Sequence, residues 1–261
     1  YTLGGLDNQA TGWGRRDETW NFMASLEALG GETWFNLGDR DLATHIERTR
    51  RLTAGESLSQ ITDDFRRRFS IASHILPMSD DPVRTRVKTK DGWLDFQPYF
   101  VRHRCEPLIS AIEFAGAADA RPQPELLAAL ADPTLSAVIL CPSNPFISIE
   151  PILALRGVRA ALPDCVAPVI AVSPIIGGRA IKGPTAKMMQ ELGLEISAAA
   201  VARRYADLID AYIVDHTDAP NCAALDCAIV PAKALMETLA DREALARVVL
   251  DAAANVLELA Q

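Results

Sequence analysis

The stretch AVILCPSNPFISIEPILALRGVRAALPDCVAPVIAVSPIIGG, Ala137 to Gly178, holds two continuous apolar runs, Ala137 to Cys141 and Pro168 to Val172. Strands apolar on both faces belong to a parallel sheet covered by helices on both sides. The residues between them, Ser148 to about Ala161, repeat apolar positions at helical spacing, so the stretch predicts a strand-helix-strand unit. Later runs at Ala211 to Val214 and Ala228 to Val230 extend the sheet, with amphipathic helices over Ser197 to Ile209 and Arg242 to Leu259. The fold class expected is α/β, a Rossmann-like parallel sheet flanked by helices.

Upstream the pattern differs. Helices are expected over Asp17 to Leu29, from the acidic turn Gly38-Asp39-Arg40-Asp41 onward, and after Ser57, where Gln60 completes a capping box. Thr33 to Leu37 reads as a short aromatic strand. Arg84 to Thr89 and Trp93 to Gln97 alternate around Asp91-Gly92, a strong hairpin signal. Residues 38–105 are therefore expected to form a small helical and hairpin annex inserted into one Rossmann-like domain. The chain starts at Tyr1 in ordered-looking pattern without a Met, so an upstream segment carrying the first strand is expected.

The 261 residues are 49% hydrophobic and 23% charged, with a net charge of -8. That balance disfavours nucleic acid or an anionic membrane as partner, and any anion bound must meet a local site. No apolar stretch is long enough for a membrane span and no leader pattern opens the chain, so a cytoplasmic protein is expected. The five cysteines are scattered, without CxxC or histidines at ligand spacing, and indicate neither disulfides nor zinc.

Candidate chemistry gathers where strands end. Ligands of open parallel sheets bind beyond the carboxyl ends of strands, so the loops at Ser143-Asn144 and Ser173 to Gly177 would wall one crevice. Ser148 is placed as N-cap of the helix between them, with amides suited to a phosphate; the alternative is that these residues only close turns and cap a helix. Lys182-Gly183-Pro184 puts a cation and a close-approach glycine at a helix start. A cation there opposes the macrodipole unless an anion lies between, which favours a phosphate contact for Lys182. Asp39, Arg40, Asp41, Thr44, His45 and Arg48 crowd a short stretch at one helix start, either as a cation- and phosphate-binding group or as a cap with intrahelical pairs. Asp80-Asp81 reads as paired carboxylates or as an Asx turn. There is no P-loop, no complete dinucleotide fingerprint and no nucleophile triad.

Taken in order, WFNLGDRDLATHIERT (Trp34 to Thr49), ILPMSDDPVRT (Ile75 to Thr85), FQPYFV (Phe96 to Val101), CPSNPFISIEPIL (Cys141 to Leu153) and AVSPIIGGRAIKGPTAKMM (Ala171 to Met189) resemble the 2-phospho-L-lactate transferases of coenzyme F420 biosynthesis. The resemblance spans nearly the whole chain. It implies a cytoplasmic, Mg2+-dependent homodimer that moves a phospholactyl group, or a phosphoenolpyruvyl or phosphoglyceryl group, from a guanosine-diphosphate-linked donor to the deazaflavin Fo, with release of GMP. It implies Asn36 and Thr44 near Fo; for the displacement, Arg40 and Lys182 are expected to neutralise the phosphate charge, with Asp39 as a candidate metal-binding carboxylate of the catalytic group. Ser143, Asn144, Ser148, Ser173, Gly177 and Gly183 fall on the nucleotide and phosphate side. The family's metal ligands are expected upstream of Tyr1. A non-catalytic nucleotide-sugar-binding regulator of the same fold is the alternative.

Overall fold

In a computed structural model describing residues 1–12, 14–181 and 183–259, the chain divides into two units. Tyr1–Pro82 with Gln97–Glu106 makes one; Val83–Phe96 with everything from Pro107 onward makes the other. The first unit carries helices Asn21–Ala28 (α1), Asp39–Thr53 (α2) and Leu58–Arg68 (α3). Ser57 and Gln60 form the expected capping box at α3. Arg51 of α2 joins the two longer helices by donating to Glu56 before α3 and to Asp64 within it, at 2.6 Å for Asp64.

Two expectations for this unit are corrected. Helix α1 begins at Asn21, not Asp17. Thr33 to Leu37 is irregular rather than a strand. A strand needs a ladder partner, and instead the Trp34 ring is held by the Arg102 guanidinium at 4.6 Å, which also pairs with Glu32 at 2.7 Å.

The second unit opens with the predicted hairpin, Arg84–Thr89 (β1) and Gly92–Asp95 (β2). Gly92 has φ +113°, which a side chain would strain. The hairpin, expected in the annex, groups with this unit because β1 also pairs antiparallel with Ala111–Ala115 (β3), Val87 opposite Ile112. Pro124–Leu130 (α4) leads to the parallel strand Val138–Leu140 (β4).

The helix expected over Ser148 to Ala161 is broken. A π-helical turn spans Pro145–Ile149, followed by Glu150–Leu153 (α5) and Val158–Ala161 (α6), with Gly157 at φ +87° between them. The N-cap is Asn144, not Ser148. Asn144 Oδ1 accepts from the Phe146 amide at 2.9 Å with Pro145 in the first position; an Asx side chain followed by proline starts a helical turn well. Ser148 lies inside the turn.

Val169–Val172 (β5) follows, then a two-stranded hairpin of Ile175–Ile176 (β6) and Arg179–Ala180 (β7), then Thr185–Glu191 (α7), Ala198–Arg203 (α8), Ala211–Asp215 (β8), Ala219–Cys222 (α9), Ala228–Ala232 (β9) and Leu239–Leu259 (α10). The main sheet runs β4-β5-β8-β9, all parallel, with Ile170 beside Ala211 and Ile213 beside Val230.

Every residue of β5 and β8 is buried, as two-sided cover requires. On one face Ile170, Val172, Ala211 and Ile213 meet Leu245, Val249, Ala252 and Ala253 of α10. On the other, the Tyr212 hydroxyl donates to the Ala198 carbonyl of α8 at 3.0 Å. Burial pushes that phenol far above its ordinary pKa. Tyr212→Phe keeps the ring and loses one buried hydrogen bond, and is expected to destabilise by about 1 kcal/mol in denaturant titration. No helix among the described residues is long and apolar enough to cross a membrane.

Candidate functional site

Within the second unit the loops after β4, β5 and β9 enclose a crevice of about 350 Å³ at the carboxyl ends of the parallel strands. Asn144 contributes from the first loop, Ser173 and Ile176 from the second, and Leu235 and Met236 from the third; Thr185 at the start of α7 and Arg242 of α10 complete it. The loops after β4 and β5 therefore meet as their sequence suggested. Ser173 is buried and turns the chain after β5, its hydroxyl accepting from the Ile175 amide at 3.1 Å and donating to the Ile175 carbonyl at 3.0 Å. Asn144 spends its oxygen on the Phe146 amide and turns its amide nitrogen to the Met188 sulfur at 3.5 Å.

Two buried carboxylates, neither singled out in the sequence, hold the crevice walls. Asp218 accepts from the Gly177 amide at 2.7 Å and the Gly178 amide at 3.2 Å, fastening the turn of the β6–β7 hairpin that presents Ile176. Gly177 and Gly178 have φ +57° and +68°, the left-handed pair a two-residue hairpin turn needs. Asp215, at the end of β8, accepts from the Ala234 amide at 3.2 Å and from Thr217, whose hydroxyl lies at 2.8 Å. Burial alone would raise the Asp215 carboxyl; the hydrogen bonds from Thr217 and Ala234 outweigh it and hold the pKa below the ordinary value. Gly177, expected on the nucleotide and phosphate side, donates its amide to Asp218.

Ser143 donates its amide to the Cys141 carbonyl at 2.6 Å and does not line the crevice; neither does Ser148. Gly183 has φ +69° in the turn before α7, and Lys182 lies outside the described residues.

Arg242 is the residue sequence reading missed. It is the one charged side chain lining the crevice among the described residues. Its signal was there: 242, 245, 249, 252 and 256 are spaced three and four apart, and the last four carry the apolar stripe of α10 against the sheet. Arginine occupies the position where that stripe would continue.

The first unit arranges its candidates differently. Asp39 sits in the first turn of α2, but its carboxylate accepts from Thr19 Oγ1 at 2.6 Å, the Asn21 amide at 3.1 Å and the Phe22 amide at 3.0 Å, so it caps α1. Those bonds, the Thr19 hydroxyl foremost, hold its pKa below the ordinary value. Glu18 returns the favour by accepting from the amides of Arg40 at 2.8 Å and Asp41 at 2.9 Å. Each acid, placed just before or at one helix, caps the other helix. Gly38 permits this, because a Cβ there would fall 2.3 Å from the Glu18 carboxylate.

Arg40 is exposed and 3.8 Å from Asp17. Thr44 bonds back to the Arg40 carbonyl at 3.5 Å. Asp41 takes the Tyr1 hydroxyl at 2.6 Å and faces His45 at 3.5 Å, the intrahelical pair weighed in the sequence. Asn36 lies apart, in a recess of about 380 Å³ with Trp20, Met23 and Thr33. Asp80 caps α3 through Ser59, bonding its amide at 2.7 Å and its hydroxyl at 2.8 Å.

Asp39→Asn is expected to speed amide hydrogen exchange at Asn21 and Phe22. A fall in turnover with α1 exchange unchanged would instead make Asp39 a group that acts on substrate.

Residues 14–253 match the family described as 2-phospho-L-lactate transferase CofD. The chain belongs to this family. Among CofD relatives, the phosphoenolpyruvate transferase of Kitasatospora aureofaciens is 42% identical over 252 residues, 94% of this chain and 78% of that protein. That of Streptomyces coelicolor is 40% identical over 258 residues, 97% and 80% of the two chains. That of Mycobacterium tuberculosis is 40% identical over 230 residues, 84% and 69%.

Among solved structures, a UPF0052-family protein from Bacillus halodurans superposes with a TM-score of 0.58 over 81% of this chain and 71% of its own, at 12% identity. That likeness shows the fold alone. Membership makes the chain one of a transferase family. Among the described residues no group of three or more His, Cys, Asp or Glu is placed to hold a metal ion.

Proposed function

We propose that this CofD-family chain transfers a phosphorylated three-carbon acid from a guanosine-diphosphate-linked donor to the terminal ribityl hydroxyl of Fo, releasing GMP, as a step of coenzyme F420 formation. The phosphoenolpyruvyl donor is favoured, because the relatives at 40 to 42% identity carry the name phosphoenolpyruvate transferase.

The observation that carries this reading is the strand-end crevice, where three loops of small polar and apolar residues converge. In the reaction proposed, the Fo hydroxyl oxygen bonds to the phosphorus that bears the acid. The bridging P–O bond to GMP breaks, and the hydroxyl proton passes to solvent. Such a displacement asks the protein for alignment and charge neutralisation rather than a covalent intermediate.

The test is mass spectrometry of reactions holding the protein, Mg2+, Fo and one of three guanosine-diphosphate-linked acids: enolpyruvate, lactate or glycerate. A phosphodiester of Fo with one GMP per product, in the enolpyruvate tube foremost, is the expected result. Fo and donor recovered unchanged from all three tubes would overturn the proposal.

A further inference from the structure

Helix α10 runs back across the sheet, and its rotation is fixed at two places. Leu245, Val249 and Ala252 are sunk against β5, β8 and β9. At its start Thr238 and Asp241 make a reciprocal cap: the Asp241 amide donates to Thr238 Oγ1 at 3.1 Å, and Asp241 Oδ2 accepts from the Thr238 amide at 2.9 Å. Arg242 follows directly and stands three residues before Leu245. It therefore lies on the sheet-facing side of the helix, at the end where the strands stop.

The Arg242 side chain is exposed and is the charged group that lines the crevice among the described residues. Of the two acids beside it in sequence, Asp241 is bound by Lys233 at 2.7 Å, and neither Asp241 nor Glu243 forms an ion pair with Arg242. Around it the crevice is lined by the neutral polar side chains Thr185, Asn144 and Ser173, between walls that include Ile176 and Met236. Behind those walls stand Asp215 and Asp218, whose charge would repel an entering anion unless a cation offset it.

We infer that Arg242 binds the anionic phosphate group of the crevice's ligand, a nucleoside diphosphate or its ester. This rests on the reading of the crevice as the donor site, and it adds the residue that meets the charge. A planar guanidinium takes two phosphate oxygens at once, which an ammonium at the same place cannot do.

Calorimetric titration of the wild-type protein, Arg242→Gln and Arg242→Lys with GDP, guanosine and inorganic pyrophosphate tests it. Arg242→Gln should weaken GDP and pyrophosphate on the order of 10- to 100-fold and leave guanosine affinity unchanged. Arg242→Lys should recover only part of the loss. Circular dichroism melts of the variants serve as the folding control, and the exposed arginine should leave them near wild type. Equal GDP and pyrophosphate affinity in wild type and Arg242→Gln overturns the inference, as does a loss confined to guanosine, which would put the guanidinium on the base. Wild-type protein that binds pyrophosphate through Arg242 but not GDP keeps the anion site and removes the nucleotide reading. Binding of neither removes both.

Discussion

Asp215→Ala should destabilise the second unit by about 2–4 kcal/mol, because it strips the partner from the buried Ala234 amide and from Thr217 together. The loss falls where the segment after β9 turns to line the crevice, so weaker GDP binding should accompany it. The pH dependence has a definite sign. The Asp215 carboxyl is held below its ordinary pKa in the folded chain. Its contribution is full above the unfolded value near 4 and disappears as pH falls through the lower folded value. The stability gap between wild type and Asp215→Asn should thus be constant from pH 7 to about pH 5 and close under stronger acid. Urea titrations at a series of pH values check this; a gap that widened on acidification would contradict the assignment.

Asp218→Ala should act on the ligand more than on the fold. The side chain accepts the two adjacent amides of the Gly177-Gly178 turn, and that turn carries the short hairpin whose Ile176 forms a wall. Without it, hydrogen exchange at Gly177 and Gly178 should accelerate, and GDP affinity should fall by roughly tenfold, the equivalent of one charge-assisted hydrogen bond. Asp218→Asn keeps one acceptor and should fall between. Unchanged exchange at both glycines would show that the turn holds without Asp218.

Much of the sheet was legible because its signals are local. Continuous apolar runs at Ala137 to Cys141 and Pro168 to Val172 report burial on both faces, and the strands stand there, one or two residues shorter. Asp91-Gly92 marked its hairpin, and Ser57 with Gln60 marked its cap, since each depends on residues within one turn. The broken helix after β4 was misread for the same reason: a helical period says where apolar residues recur, not that Asn144 would take the cap from Ser148 or that Gly157 would interrupt.

In the dense charge of Gly38 to Arg48, the Asp39 carboxylate and the amides of Arg40 and Asp41 are engaged at helix ends. The meaning of that charge depended on Glu18, about twenty residues away, returning to cap α2 while Asp39 capped α1. The crevice shows the same division. By itself the sequence determined the family, the parallel sheet and the two loops that meet at the strand ends, because those follow from motifs and short-range periodicity. Only the tertiary structure decided that Asp218 holds a turn forty-one residues earlier in the chain, and that Arg242, at the head of a core-facing stripe, reaches the strand ends. Pairings across such separations are set by how helices settle on the sheet, and no pattern within one turn of chain records that.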